Sequence, residues 1–460
     1  MRTIHTLLIM GVLANVGLQG QVLTPGALAE DFFPQLKPIL ANAMQQSPQM
    51  LLRNIEIAQA DANRYQARAQ LLPQLGAGIS YSINESAVSQ GTSSTSRSDG
   101  LFYSLSVSQS LFAWGTIKAQ NDNAKIGVKI AEKNYAEAYR VLLLSLRSQF
   151  LALISKKMGA RNAKFSLQVA RSTLKVAEEK LRTGQASPGE VIPLRVAVEE
   201  AELNQDKMLA DLAQARRFFA RVAGLDDLPE SEIPPALLLD ASHYDASRSR
   251  DLLASFDQQG GVENSLVALT YRYNIEQADL SYKVARFRLY PRFGLSAGIS
   301  QVNSTSVSQN IVVQTGVYSQ SASVTASWNI FDGWATKGAK LSALATKRSY
   351  ERQLLSYVTA TTAHVRDVEA QIGFASRALR IADTRWDIIR GQAKNATDGL
   401  ARGSGSQTEV DTAAQTMNNY ELVLLNHRVE YLNRWAEFRS LTGQDPAMTN
   451  LPPSYLAHAK

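Results

Sequence analysis

Cysteine is absent from this 460-residue sequence, which excludes disulfide bonds, thiol catalysis and thiolate metal ligands. Charge is also sparse, because Asp, Glu, Lys and Arg make up 19% of the chain, below the ~25% usual in soluble proteins. The net charge of +7 is too dilute, and too free of basic clusters, to predict a nucleic-acid partner. An apolar content of 45% is nonetheless ample for a core and excludes wholesale disorder.

Motifs that carry chemistry are scarce as well. The sequence has no G-x-x-x-x-G-K-[ST] phosphate loop and no H-E-x-x-H motif, and neighbouring histidines are at least 31 residues apart. We therefore predict neither a metal site nor any other cofactor. The string GLSAG at 294–298 fits the nucleophile elbow of esterases, but Ser296 falls in the middle of a predicted strand. We predict that the protein is not an enzyme.

Long hydrophobic runs are missing from the chain beyond its N-terminal segment. None approaches the ~18 uninterrupted apolar residues of a transmembrane helix. The best candidate, Val141–Leu146, is bounded by Arg140 and Arg147. We therefore expect no helical membrane anchor in the mature chain.

The N-terminal segment has the pattern of a secretory signal peptide. Arg2 precedes an apolar stretch over 6–18 that is too short to span a bilayer comfortably, and Ala27-Leu28-Ala29 resembles a cleavage site. We predict a signal peptide over 1–29 and a mature chain that leaves the cytoplasm. The missing cysteine excludes a lipid attached at the mature N-terminus.

The rest of the chain is an internal duplication. Corresponding residues recur at an offset of 219, as in Gly184 and Gly403, or Gly224 and Gly443. We predict a first repeat over 30–224, a Pro- and Asp-rich connector over 225–257, a second repeat over 258–443 and a tail over 444–460.

Each repeat contains one very long segment without proline, over 115–183 and over 334–400. An apolar residue recurs every seven positions along both segments, which predicts long helices packed as a coiled coil. After Gly/Ser-rich turns, shorter helices return over about 188–222 and 408–441, so that each repeat holds a helical hairpin (115–222 and 334–441). A further helix is predicted before each hairpin, over about 37–71 and 263–289.

Four other segments alternate with period two and are predicted as strands, over about 75–84, 101–112, 293–301 and 321–331. One face is apolar, and the other is almost entirely Ser, Gly, Asn and Thr. We interpret 85–100 and 302–320 as polar loops that join the strands.

A soluble sheet and an outer-membrane barrel both fit such strands. Predicted secretion and the lack of Lys and Glu on the polar face favour strands that face lipid. A girdle of aromatic residues at the strand ends nearest the helices favours the same interpretation. Its members are Trp114, Tyr290, Phe293, Trp328, Phe331 and Trp334.

Four strands cannot close a barrel, and open edges are not tolerated in lipid, so closure requires further copies of the chain. Two copies supply eight strands, three supply twelve and four supply sixteen. Eight strands leave an interior filled by side chains, so a conduit needs at least twelve. We predict a homo-oligomer, with three copies favoured.

The order of these elements resembles the TolC family of outer-membrane efflux and secretion proteins, across essentially the whole mature chain. The motifs LPQL at 72–75, SLF at 110–112 and IFDG at 330–333 resemble that family, as do the turns LRTGQASPGEV and LARGSGSQTEV. The resemblance implies an α+β membrane protein: a homotrimeric, 12-stranded transmembrane β-barrel, four strands per chain, continued by a long periplasmic α-helical coiled-coil barrel. It departs from the lipidated branch of the family.

The resemblance also implies a function and partners. The protein would be the passive exit duct, in the bacterial outer membrane, of a tripartite efflux pump or a type I secretion system. Its partners would be outer-membrane lipid, a periplasmic adaptor and an inner-membrane transporter, either an ABC or a proton-driven pump. The cargo stays open between small molecules and protein. A structural trimeric surface protein with a barrel anchor is the alternative, but strands that interrupt the helices twice favour a tube.

The resemblance assigns roles to two sets of residues. Gly184 and Gly403, in the hairpin turns, correspond to residues thought to contact the adaptor; the alternative is a helix-ending glycine that tolerates positive φ, and both roles can hold together. Glu409, with Asp411 near a second position and Glu190 in the first repeat, corresponds to acids that ring the periplasmic entrance. The alternative is that these acids only stabilise a helix N-terminus.

Overall fold

The computed structural model describes residues 28–90, 92–240, 243–308 and 311–456. The predicted signal peptide therefore lies outside the described residues except for its last two positions. Helices α1–α3 precede strands β1 and β2, helices α4–α7 follow, and β3 and β4 precede α8–α10. The bounds are α1 Ala29–Phe32, α2 Leu36–Gln46, α3 Pro48–Ala69, β1 Gln74–Gln90, β2 Thr92–Phe112, α4 Thr116–Arg182, α5 Pro188–Ala223, α6 Ser247–Gln258, α7 Leu266–Arg286, β3 Arg292–Ser308, β4 Ile311–Ser327, α8 Ala335–Ala401, α9 Gln407–Leu441 and α10 Pro453–Leu456.

The two longest helices, α4 and α8, each contain 67 residues, or about 100 Å at the α-helical rise. Helices α5 and α9 return along them, and α7 packs between α4 and α8. The heptad positions near the middle of α4 and α8 are buried, among them Leu146, Leu153, Ile372 and Leu379. The same series is only half-buried toward the hairpin turns, for example at Leu174 and Leu400.

The helix predicted over 37–71 is two helices, α2 and α3, which meet at Ser47 and Pro48. Ser47 adopts an extended conformation (φ −61°, ψ 130°) because a following proline disfavours helical geometry at the preceding residue. Pro48 then occupies the first turn of α3, where its missing N–H costs nothing.

The strands form one antiparallel sheet in the order β1-β2-β3-β4. They are much longer than the sequence predicts, with 17, 21, 17 and 17 residues. The segments 85–100 and 302–320, interpreted as loops, are mostly strand, so that interpretation is wrong. Their Ser- and Thr-rich composition resembles a linker, but every residue from Gln74 to Gln90 has a partner on β2 in the backbone ladder. At its other end β4 stops at Ser327, four residues before the predicted end.

One helix in the described part of the chain, α4, is long and apolar enough in one stretch to compare with a membrane span. More than half of that stretch (56%) is buried inside the fold. This pattern is that of a core helix, in agreement with the short apolar run seen in the sequence.

The core contains a buried triad of charged residues, Arg147, Glu30 and Asp445. Both acids contact the guanidinium: Nε donates to Glu30 over 2.9 Å, and Nη2 donates to Asp445 Oδ1 over 2.9 Å. Burial lowers the pKa of Arg147, but hydrogen bonds and attraction from Asp445 and Glu30 outweigh it and raise the pKa overall. The triad ties α1 and the segment after α9 to the middle of α4.

Candidate functional site

Most of the apolar residues of the four strands lie on one face of the sheet. The ladder places Leu75 beside Val107, Val107 beside Ala297, and Ala297 beside Ala322. Large side chains on this face are open to the surroundings; Leu75 and Ile79 keep 70% and 68% of their area exposed. Such a face requires an apolar environment around it.

The aromatic residues predicted as a girdle all lie at the end of the sheet nearest the helices. Trp114 packs against Tyr290 with ring centroids 4.9 Å apart, and its Nε1 donates to the carbonyl of Pro291 over 2.7 Å. Trp328 Nε1 likewise donates to the carbonyl of Leu289 over 2.9 Å. We call this set the lower girdle. Aromatic rings whose one polar atom is hydrogen-bonded are typical of a membrane interface.

A second aromatic set, absent from the sequence interpretation, lies farther along the same face. Tyr103 and Tyr318 each pair with Gln301, and Tyr81 lies one outward-facing row beyond. We call these three tyrosines the upper girdle. From Phe293 to Asn303, which lies in the row of Tyr81, is ten residues, roughly 25 Å across a bilayer for strands tilted as in known barrels.

Charged residues of the strands lie only outside the band between the girdles. Arg292 is at the lower end, and Glu85, Arg97 and Asp99 lie beyond the upper girdle. A barrel crossing the outer membrane needs an uncharged apolar band of about 25 Å. The sheet therefore carries such a band, and the strands continue past it.

The Gly/Ser face shows the close strand approach expected on the inner side of a curved sheet, and we call it the concave face. A Cβ added to Gly100 would lie 3.0 Å from Cβ of its neighbour Ser304, whereas directly opposed Cβ atoms are usually about 4.5–5.5 Å apart. A Cβ on Gly298 would lie 3.0 Å from the carbonyl oxygen of Leu105. Small residues allow the backbones to approach on this side, as a sheet that curves around its polar face requires.

A left-handed pair of residues joins the sheet to each long helix. Trp114 and Gly115 have φ of +55° and +73°, and Gly333 and Trp334, 219 positions later, have +64° and +70°. The order of tryptophan and glycine is reversed between the repeats, while the backbone is the same. A tryptophan in this conformation is strained, and both tryptophans belong to the lower girdle.

The two hairpin turns end α4 and α8 in the same way. Gly184 (φ +75°) donates to the carbonyl of Leu181, and Gln185 donates to Lys180. Gly403 (φ +76°) and Ser404 make the equivalent bonds in the second repeat. These are Schellman motifs, so both glycines have the helix-ending role that their sequence context suggests. A Cβ added to either glycine would meet no atom within 4 Å beyond the adjoining residues.

Both turns lie at the same end of the molecule. Asn162 of α4 donates to the carbonyl of Asn418 in α9 over 2.7 Å, and Gln415 donates to Ser166 over 3.3 Å. The two helices are therefore antiparallel here: α4 runs toward the turn at Gly184, and α9 runs away from the turn at Gly403. The two exposed turns therefore form one tip.

The predicted entrance acids begin the returning helices. Glu409 and Ser406 form a capping box: Glu409 N donates to Ser406 Oγ over 3.2 Å, and Ser406 N donates to Glu409 over 3.1 Å. Asp411 accepts from Gln407 over 2.8 Å, and Glu190 accepts from Ser187 Oγ over 3.0 Å. Each acid thus has a local helix-start contact, and Glu190 and Glu409 are also exposed at the tip.

The esterase-like string has no elbow geometry. Ser296 lies inside β3, and its Oγ is 2.8 Å from Oγ of Ser323 on β4. A nucleophile elbow needs a sharp strand-to-helix turn, which is not the conformation of this segment.

The sequence profile of the family described as "Outer membrane efflux protein" matches residues 39–225 and 267–444. The chain belongs to this family. The resemblance to TolC-like proteins is confirmed, as is the predicted architecture of two repeats with long paired helices and a β domain, and the protein is located in the outer membrane. The two matched ranges also correspond to the two copies of the duplication.

Two relatives match part of the length of this chain. The pyoverdine export outer membrane protein OpmQ of Pseudomonas aeruginosa is 27% identical over 279 residues, 58% of this chain and 56% of that protein. Protein CyaE of Bordetella pertussis is 25% identical over 312 residues, 65% of this chain and 63% of that protein. The chain thus matches less than two thirds of the length of either relative.

Solved structures of family members share the fold. The CmeC outer membrane channel of Campylobacter jejuni superposes with a TM-score of 0.72 at 14% identity, covering 98% of both chains. VceC of Vibrio cholerae gives a TM-score of 0.64 at 17% identity, covering 90% of this chain and 97% of that one. At such identities the likeness concerns architecture alone.

Proposed function

We propose that this protein is a passive exit duct through the outer membrane, serving a tripartite efflux pump or a type I secretion system. The observation that carries the proposal is the sheet itself: an uncharged apolar band between two aromatic girdles, backed by a concave Gly/Ser face. Such a sheet separates lipid from water. The chain performs no catalytic step in this proposal, and a partner supplies the energy.

The duct is a homotrimer in this proposal. Strands β1 and β4 each have one neighbour within the described sheet, and their free edges would be unsatisfied in lipid. Three copies supply twelve strands, enough to leave an open interior, whereas eight strands fill theirs with side chains. The long helices of the three copies continue the tube into the periplasm.

The partners we propose are a periplasmic adaptor at the tip and an inner-membrane transporter, an ABC or a proton-driven pump. The exposed turns support the first, since Gly184 and Gly403 present open backbone at one end of the molecule. The name of one relative, a pyoverdine export protein, supports small molecules as cargo, and protein export is the second candidate.

Planar bilayer recording tests the duct directly. We expect purified protein to insert and give discrete, long-lived channels, because a closed barrel with a polar interior conducts ions. A surface fibre with a filled anchor would insert without conducting. Absence of channels from correctly folded, membrane-inserted protein would contradict the proposal.

We also propose that Glu409 and Asp411, with Glu190, line the entrance and favour cations. Three copies of each carboxylate around one axis would create a strongly negative ring. Glu409→Gln with Asp411→Asn keeps side-chain acceptors for the local helix-start contacts but removes the charge. We expect reduced cation selectivity and weaker block by multivalent cations in bilayer recordings.

The matched control is Glu430→Gln, which removes a carboxylate from α9 far from the tip. It is expected to leave selectivity unchanged. If the double variant keeps the selectivity and block of the parent while the assembly is intact, the acids serve only the helix ends.

A further inference from the structure

One row of the concave face is mostly apolar, unlike the Gly/Ser rows around it. The ladder aligns Ser80 with Phe102, Phe102 with Val302, and Val302 with Val317. Three of the four residues in this row are therefore apolar. The next rows toward the helices are small and polar, Gly78 with Ser104, Ser300 and Ser319 in one, and Gly76 with Ser106, Gly298 and Ser321 in the other.

The three apolar residues do not serve the lipid-facing surface. Residues opposite each other share a face, and Ser80 and its neighbours Gly78 and Ser82 belong to the concave one. Phe102 and Val317 have no core to pack into; they keep 36% and 47% of their area exposed. Along the strands, this row lies between the two rows of the upper girdle, but on the opposite face of the sheet. It is therefore level with the external surface of the outer membrane.

We propose that Phe102, Val302 and Val317 form an apolar collar that narrows the outer end of the duct and slows the passage of hydrated ions and strongly charged solutes. This inference rests on the proposed trimeric duct, in which the collar comprises nine apolar side chains among the twelve positions of the row. Because strands in a barrel are tilted, the three rows are staggered around the axis. Hydrophobic constrictions in channels impede ions because water leaves them readily.

The chain has no cysteine, so single introduced thiols test the collar without background. Ser98 and Ser106 lie four residues to either side of Phe102 on β2 and face the same side of the sheet. Ser98→Cys reports on the outside of the collar, and Ser106→Cys reports on the inside. Intact cells are treated with a charged, membrane-impermeant maleimide too large for general porins, and the labelling rates are compared.

With the collar present, we expect Ser106→Cys to react on the order of tenfold more slowly than Ser98→Cys, because the charged reagent must lose hydration in the collar. Adding Phe102→Ser, Val302→Ser and Val317→Ser should bring the two rates close together. The control Val307→Ser with Val312→Ser removes apolar residues from the other face, beyond the lipid band, and should leave the difference unchanged.

Two results would overturn the collar alone: equal rates with the collar present, or a difference that survives its removal. If Ser98→Cys does not react from outside although the protein reaches the outer membrane, the concave face is not the interior of a duct. That result would contradict the proposed function as well as the collar.

Discussion

Replacing both tip glycines with leucine is expected to abolish export while the protein still folds and assembles. Gly184 and Gly403 have φ near +75°, so each leucine adds strain of about 1–2 kcal/mol. No neighbouring atom obstructs the new side chains, and the buried core lies far from the tip. What the leucines do obstruct is the proposed adaptor contact. Export of a cargo, or resistance to an exported toxic compound, measures the loss.

Two control variants separate contact from strain. Gly443→Leu meets the same positive φ (+70°) and the same open space, but it lies at the opposite end of α9. The second control replaces both tip glycines with alanine, which adds a backbone strain of similar size but little bulk. Both variants should export normally. Normal export by the leucine variant, or equal loss in the Gly443→Leu control, would remove the contact role from the tip.

The largest loss of stability is expected from Arg147→Met. The substitution keeps much of the apolar stem but leaves Glu30 and Asp445 buried without the guanidinium that pairs with them. Breaking a buried ion pair in this way costs about 3–5 kcal/mol. We expect a large fall in the midpoint of thermal unfolding, followed by far-UV circular dichroism, and a lower yield of assembled protein in the membrane.

Arg171→Met is the matched control, because Arg171 pairs with Glu202 on the surface and keeps 60% of its side chain exposed. Surface pairs contribute about 0–1 kcal/mol, so the midpoint should barely change. Adding Glu30→Gln and Asp445→Asn to Arg147→Met should restore part of the loss, since no charge of the triad then remains. If Arg147→Met and Arg171→Met unfold at the same temperature, the triad does not hold the fold together.

The helical part of the fold could be predicted from the sequence because its signal is periodic. A seven-residue repeat without proline specifies helix length directly, and α8 begins and ends within one residue of its predicted range. Single residues outside that periodicity were harder to interpret. Pro48 divides a helix that the apolar pattern alone makes continuous.

Strand length could not be predicted because apolar alternation stops where the lipid band stops. Beyond Ile83, strands β1 and β2 lose their apolar alternation, Ser and Thr become common on both faces, and the sequence resembles a loop. The backbone ladder continues regardless, since its hydrogen bonds do not depend on side chains. The upper girdle lies where this change occurs. Its tyrosines are evident in the sequence, but only the register between the strands shows that they lie side by side.

Long-range side-chain partners left no trace in the sequence. Arg147 lies 117 residues from Glu30 and 298 from Asp445, and in the sequence it only ends an apolar run. The collar depends equally on register, because Phe102, Val302 and Val317 become one row only when three strands are aligned. The tip was easier to predict: helix-ending glycines and the acids that follow are local features, although their contacts with partners are not.

The mass of the assembly is the most direct test of the central claim that several copies of this chain share one barrel. Purified protein in mild detergent, measured by native mass spectrometry or by light scattering corrected for detergent, should contain three chains. Its four strands per chain would then give the twelve of an open barrel. A stable, folded monomer in the membrane would contradict the account, because its β1 and β4 edges would have no partner in lipid.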